Sequence, residues 1–240
     1  MLSLSVNSVS KFSKPVFNPK AIPGIIHWWK WNEGIQDGEG DFPDDNEGVW
    51  KWIDAVGSAT VLIDDAGLRP VYNLSEKSVD FNGAFRLLQI QDDGEIELQT
   101  GLDGFALYFR IKYGIAPDGT DNFVKASDSD NFFIRAQDAT TVRVKSGTAG
   151  SGGRYDFTVP TIGTSKYYNI GIELDAEGGL HCYVDGVEST TGELEYADSS
   201  FTFDILKGGR NDNFRTGLIF ESSLNDRDRR DLQDWLTYRN

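Results

Sequence analysis

"IGIELDAEGGLHCYVDG", residues 170–186, is the stretch on which the choice of fold turns. Ile170, Ile172 and Leu174 alternate with Gly171, Glu173 and Asp175. Beyond Gly178 and Gly179, Leu180, Cys182 and Val184 alternate with His181, Tyr183 and Asp185. Period-two alternation on both sides of a glycine pair reads as strand, tight turn, strand. The same letters also spell Glu173-x-Asp175-x-Glu177, three carboxylates on one face of an extended chain. Such a set can cleave a glycosidic bond, one carboxylate attacking and another donating a proton, if two lie roughly 5–5.5 Å apart. The glycines follow Glu177 directly, so the simplest reading puts Glu177 at a solvated turn tip, where it is no preorganised acid. The hairpin is preferred, and a glycoside hydrolase using Glu173 and Glu177 is kept as the alternative.

Outward from the hairpin the same pattern repeats. "GIIHWWKW", "FRLLQI", "FALYFRIKY", "NFFIRAQ", "TTVRVKSG", "RYDFTVP" and "FTFDILKGG" are short strand-like runs separated by Gly, Asn, Asp and Pro. Many strands with turn signals between them predict an all-β sandwich. The C-terminus breaks the period. In "SSLNDRDRRDLQDWLTYRN" a polar cap and early acids precede Leu232, Trp235 and Leu236 at i, i+3 and i+4. This predicts one amphipathic helix of about three turns laid over the sandwich. Residues 1–21, rich in Ser and punctuated by Pro, read as an extended N-terminal arm, and residues 22–240 as one domain.

The chain has 240 residues and a net charge of −15, yet residues 1–32 hold four lysines and no acid. So negative a body repels phosphate backbones and anionic lipid, which argues against nucleic-acid and membrane partners. The basic arm, with Lys11, Lys14 and Lys20, suits a tether lying on an acidic body, its own or a neighbour's. No apolar run approaches the ~18 residues that span a bilayer, and the N-terminus lacks the build of an ordinary signal peptide. The lone cysteine, Cys182, excludes an intrachain disulfide and reads as a small buried apolar residue on a strand.

The order of these signals resembles the concanavalin A-like jelly rolls, in particular laminin-G-like domains of bacterial and phage proteins. The residues carrying it are the tryptophan strand "GIIHWWKW", then Trp52, Asp54 and Gly57, then Arg69 and Pro70, and Phe81 with Gly83. After them come "IGIELDAEGGLHCYVDG", then Gly208, Gly209 and Arg210, and the closing Leu-Asn-Asp helix. The likeness runs from about residue 22 to 240, and it departs from the family where Lys30 stands near the place of an acid. It implies a concanavalin A-like two-sheet jelly roll with an extended arm and a short C-terminal helix. It also implies a non-catalytic structural or adhesive module of a larger particle, a bacteriophage virion protein of head or tail. Its partners would be other virion proteins or copies of itself, with a host surface glycan as a further ligand.

A second alternative is a carbohydrate-binding module. Trp29, Trp31, Trp50 and Trp52 crowd two short segments, and flat aromatic faces stack on sugars. On a strand Trp29 and Trp31 face away from Trp28, so one set leaves the core unless something covers it. Calcium is the one cofactor considered. Asp118 and Asp121, with Asp128 and Asp130, lie in loops of the kind that supply oxygens to it. The laminarinase and lichenase group carries Glu-x-Asp-x-Glu, but its Trp-Pro-x-x-Trp companion is missing here, and no hydrolase triad or zinc pattern is found.

Overall fold

Alternation becomes two stacked antiparallel sheets. The computed structural model describes residues 17–63, 66–81, 86–90, 96–98, 104–120, 122–126, 132–145, 153–189, 201–209 and 212–238. One sheet has eight strands. From one edge they are Val187–Ser189, Leu180–Val184, Tyr168–Leu174, Phe105–Tyr113 and Asp212–Phe220. The far side of Asp212–Phe220 is shared end to end. Ser78–Asp80, continued by Val71–Asn73, pairs with one half, and Ile25–Lys30 pairs with the other. The second sheet has nine strands, running from Arg154–Thr158 through Thr141–Lys145, Phe133–Asp138, Asn122–Lys125 and Ile205–Gly209. It continues through Arg86–Ile90, Thr60–Leu62 and Lys51–Ile53 to Ile35–Gln36. Ile96–Leu98 and Phe201–Phe203 form a separate two-stranded ladder.

The hairpin reading holds. Ile170 pairs with Val184, Ile172 with Cys182 and Leu174 with Leu180. Asp175 closes the turn: its Oδ1 accepts from the Glu177 amide at 3.0 Å and the Gly179 amide at 2.6 Å. The next run is split by a two-residue turn, in which Asp185 and Gly186 have φ of 51° and 78°. This is the left-handed pair that short hairpins require, and it fits Asp-Gly. Cys182 is fully buried, and burial pushes its thiol pKa up, as for an inert core residue.

Two apolar clusters divide the side chains. The larger fills the space between the sheets and includes Trp29, Trp52, Phe109, Phe123, Phe157 and Phe214. The smaller lies on the outer face of the eight-stranded sheet, where Trp28, Tyr108, Leu218 and Phe220 meet Leu232, Trp235 and Leu236 of the helix Asp226–Tyr238. Asn225 caps that helix, accepting from the Arg227 and Asp228 amides at 3.1 and 3.0 Å. Phe17 and Ile22 pack into the outer cluster, and Lys20 Nζ donates to the Ala55 carbonyl at 2.7 Å. Residues 17–21 therefore lie against the sandwich, while Lys11 and Lys14 are outside the described residues. No helix among the described residues is long and apolar enough to cross a membrane.

Candidate functional site

The tryptophan pattern resolves by burial. Trp29 and Trp52 are fully buried between the sheets, so neither can stack on a sugar. Trp52 Nε1 donates to the Lys30 and Glu33 carbonyls at 3.1 and 3.2 Å, and its ring meets Phe214 edge-on. Trp28 faces outward and is covered, edge-on to Trp235 with the Lys20 and Lys30 ammonium groups over its ring. The helix and the chain before Pro23 are thus what cover the outward tryptophan. Trp31 and Trp50 remain half-buried, and Trp31 stacks on Tyr72, which Phe42 meets edge-on.

Glu173 and Glu177 do not meet in one cleft. Glu177 is exposed in the turn. Glu173 is buried under the helix, where Arg229 Nε and Nη2 grip its two oxygens at 2.9 and 2.8 Å. The Tyr108 hydroxyl and the Leu224 amide also donate to it. This clamp, above all its hydrogen bonds to Glu173, holds the Arg229 pKa well above its ordinary value. Glu173 therefore docks the helix on the sheet. Asp175 is drawn off to the turn and to His181, not to a carboxylate pair.

His181 bridges Asp175 at 2.9 Å and Glu188 at 2.7 Å. Burial opposes its charge, but the two carboxylates outweigh that and raise its pKa above 6.5. A raised folded-state pKa gives stability that is complete below the unfolded value and is lost as pH rises through the folded one. Thermal unfolding from about pH 6 to 8 should show the parent losing stability relative to His181→Gln, and parallel curves would refute the bridge. Asp175 has the opposite sign. Burial is again outweighed, by His181 and the turn amides, so its pKa falls and its contribution disappears in acid.

Of the four aspartates expected to offer oxygens to calcium, Asp118 alone lies among the described residues. Asp118 is exposed and caps its own turn through Thr120. Asp121, Asp128 and Asp130 lie outside the described residues, and among those described no three His, Cys, Asp or Glu side chains gather as metal ligands.

The concave site is elsewhere. The helix covers only half of the outer face of the eight-stranded sheet. Along Phe105–Tyr113 the outward positions are Ala106 and Tyr108 beneath the helix, then Arg110 and Lys112 beyond it. Asn169 and Thr216 flank Arg110 on the neighbouring strands, and Asn213 lies opposite Lys112. A groove of about 1020 Å³ opens here, walled by Gln233, Thr237 and Tyr238 of the helix and by Lys166, Asp185 and Glu188 near the hairpin edge. On the same face the Tyr167 ring gathers three cations: Arg215 at 3.8 Å, Arg110 at 5.5 Å and Lys112 at 5.9 Å. The Tyr167 hydroxyl donates to the Glu76 carbonyl, and burial leads the causes that raise its pKa. Tyr238, 80 % exposed, offers an open ring at the rim. Donors, acceptors and aromatic faces converging on one concavity are the usual makings of a ligand site.

Two open antiparallel sheets with one C-terminal helix define an all-β sandwich. No protein-family model and no curated protein sequence matches the chain. Solved structures do. Trypanosoma rangeli sialidase in complex with sialic acid superposes with a TM-score of 0.55 at 12 % identity, over 90 % of this chain and 34 % of that one. A botulinum neurotoxin type C structure, whose cell entry depends on two ganglioside molecules, gives 0.56 at 14 % identity, over 90 % of this chain and 52 % of that one. The binding domain of botulinum neurotoxin DC in complex with rat synaptotagmin II gives 0.52 at 13 % identity, over 87 % and 53 %. The chain thus spans about a third of the sialidase and about half of the toxin chains, and at these identities the likeness is one of fold.

Proposed function

We propose that this protein is a non-catalytic, adhesive carbohydrate-binding module whose ligand lies in the groove beside Arg110, Tyr167 and Tyr238. The observation that carries this reading is the half-covered outer face. The fold buries a second apolar cluster under its helix, then stops and leaves an aromatic, hydrogen-bonding concavity on the adjoining half of the same sheet. A sugar ring presents hydroxyls to Gln233, Asp185 and Lys166 and a C–H face to tyrosine, and this groove has both kinds of wall. Fold-level company supports it too, since the chains that contain this fold include a sialidase in complex with sialic acid and a toxin whose cell entry depends on two ganglioside molecules. The non-catalytic part rests on Glu173, whose oxygens are already committed to Arg229, Tyr108 and the Leu224 amide. The family resemblance adds a setting, a bacteriophage particle on which the module is mounted, and the groove chemistry does not depend on it.

The test is a glycan array of neutral and acidic saccharides, followed by calorimetry on the hits. Tyr238→Ala, an exposed change, should weaken binding about 2- to 10-fold, and Trp31→Ala should leave it unchanged. A loss confined to Trp31→Ala would move the site to the Trp31–Tyr72–Phe42 patch. No binding across the panel would end the reading.

A further inference from the structure

Arg110 is the anomaly in the groove. Its side chain rises from the middle of the sheet and is only 8 % exposed. Nη1 donates to Asn169 Oδ1 at 2.6 Å and Nη2 to the Thr237 carbonyl at 3.4 Å, while Nε has no partner within the protein. A guanidinium has five donors, so most of its capacity is unused. Among the described residues it forms no ion pair. Asp185, the acid whose field reaches it, is already engaged: one oxygen accepts from Lys166 Nζ at 2.6 Å and the other from the Asn169 amide at 2.9 Å. Arg215 adds a like charge nearby. Burial first, then Arg215, lower the Arg110 pKa to about 10. From the helix, Gln233 is 8 % exposed and lines the same groove with neither amide atom partnered in the protein.

The same chain shows how it treats a buried cation with a structural task. Arg229, also beneath the helix edge, receives a bidentate carboxylate from Glu173. Arg110 receives none, although the protein carries 38 acidic residues. A buried charge with no counter-charge is costly and calls for an explanation. We propose that Arg110 is the receptor for an anionic group of the ligand, a carboxylate or a sulfate ester carried on an acidic glycan. This deepens the glycan reading above and rests on it. The planar fork matches either anion, and Gln233 can hydrogen-bond the hydroxyls beside it. The net charge of −15 narrows the class further. A polyanion such as a phosphate polymer is repelled by the whole body, whereas one anionic group on a neutral saccharide meets only the local positive field.

The experiment uses the full chain and matched saccharide pairs that differ only in the charged group. Sulfated lactose is compared with lactose, and a monogalacturonide with the matching galactoside, by calorimetry. At least one acidic member should bind ~10-fold or more tightly than its neutral partner, and Arg110→Gln should abolish that ratio. The carboxylate and sulfate arms tell the two anions apart. Equal affinity within every pair, or a preference that survives Arg110→Gln, overturns the inference but leaves the glycan reading standing. No saccharide bound at all overturns both, and binding of an acidic peptide alone overturns them in favour of a protein partner. Should Arg110→Gln fail to fold, nitrogen-15 spectra of the parent's arginine side chains decide. One Nε–H signal, lost in Arg110→Lys, should move with acidic saccharides and stay still with neutral ones. If it stays still with both, the proposal fails.

Discussion

Arg229→Met is expected to lower stability by about 3–5 kcal/mol, a fall of roughly 6–20 °C in thermal midpoint for a chain of this size. The reason lies in what is left behind. Glu173 is 1 % exposed, and without Arg229 its charge stays under the helix with only the Tyr108 hydroxyl and one amide to satisfy it. It would then have to draw in water. The double variant Glu173→Met with Arg229→Met should recover most of the loss, because removing both charges is close to neutral where removing one is not. Calorimetric unfolding of the two single variants and the double decides it. A single variant within about 1 kcal/mol of the parent would mean that the clamp is ornamental. The consequence reaches the groove, since the clamped helix carries Gln233, Thr237 and Tyr238 along its wall.

Trp52→Ala is expected to cost a comparable amount, about 3–5 kcal/mol, and to impair ligand binding only through loss of the fold. The indole is fully buried, packed edge-on to Phe214, and its N–H ties together the Lys30 and Glu33 carbonyls at the end of the first long strand. Truncation leaves a large cavity between the sheets and takes a donor from both carbonyls. Urea unfolding of Trp52→Ala beside Trp31→Ala separates the two kinds of tryptophan. The half-buried Trp31 should lose far less, and equal losses would contradict the assignment of Trp52 to the core.

Much of this architecture is legible in the letters. Period-two alternation in "IGIELDAEGGLHCYVDG" predicts both strands, the turn and the burial of Cys182, because side-chain direction in a strand is a local property of the backbone. Leu232, Trp235 and Leu236 likewise predict the helix and its buried stripe. The tryptophans are half-legible. Parity separates Trp28 from Trp29, but parity cannot say which face meets the other sheet and which meets a helix. Sugar stacking at Trp29 and Trp52 is the casualty. Arg110 escaped attention in "FALYFRIKY", although one face there reads Ala106, Tyr108, Arg110, Lys112, an apolar half passing into a basic half. That change of character was the available signal for a face only partly covered.

The amino-acid order by itself determined several strands, Phe105–Tyr113 and Tyr168–Leu174 among them but not Asp212–Phe220, with the hairpin turn, the capped helix and the absence of an intrachain disulfide, since each depends on dihedral preferences and spacing within a few residues. Only the tertiary structure decided which charges are answered. Glu173 meets Arg229 from 56 residues away, while Arg110 donates hydrogen bonds to Asn169 and Thr237, 59 and 127 residues along the chain. Coulomb energy and desolvation depend on distances and burial through space, which chain order does not encode locally. The carboxylates that looked like chemistry thus hold the helix and the turn, and among the described residues Arg110 stands in the groove without a paired carboxylate.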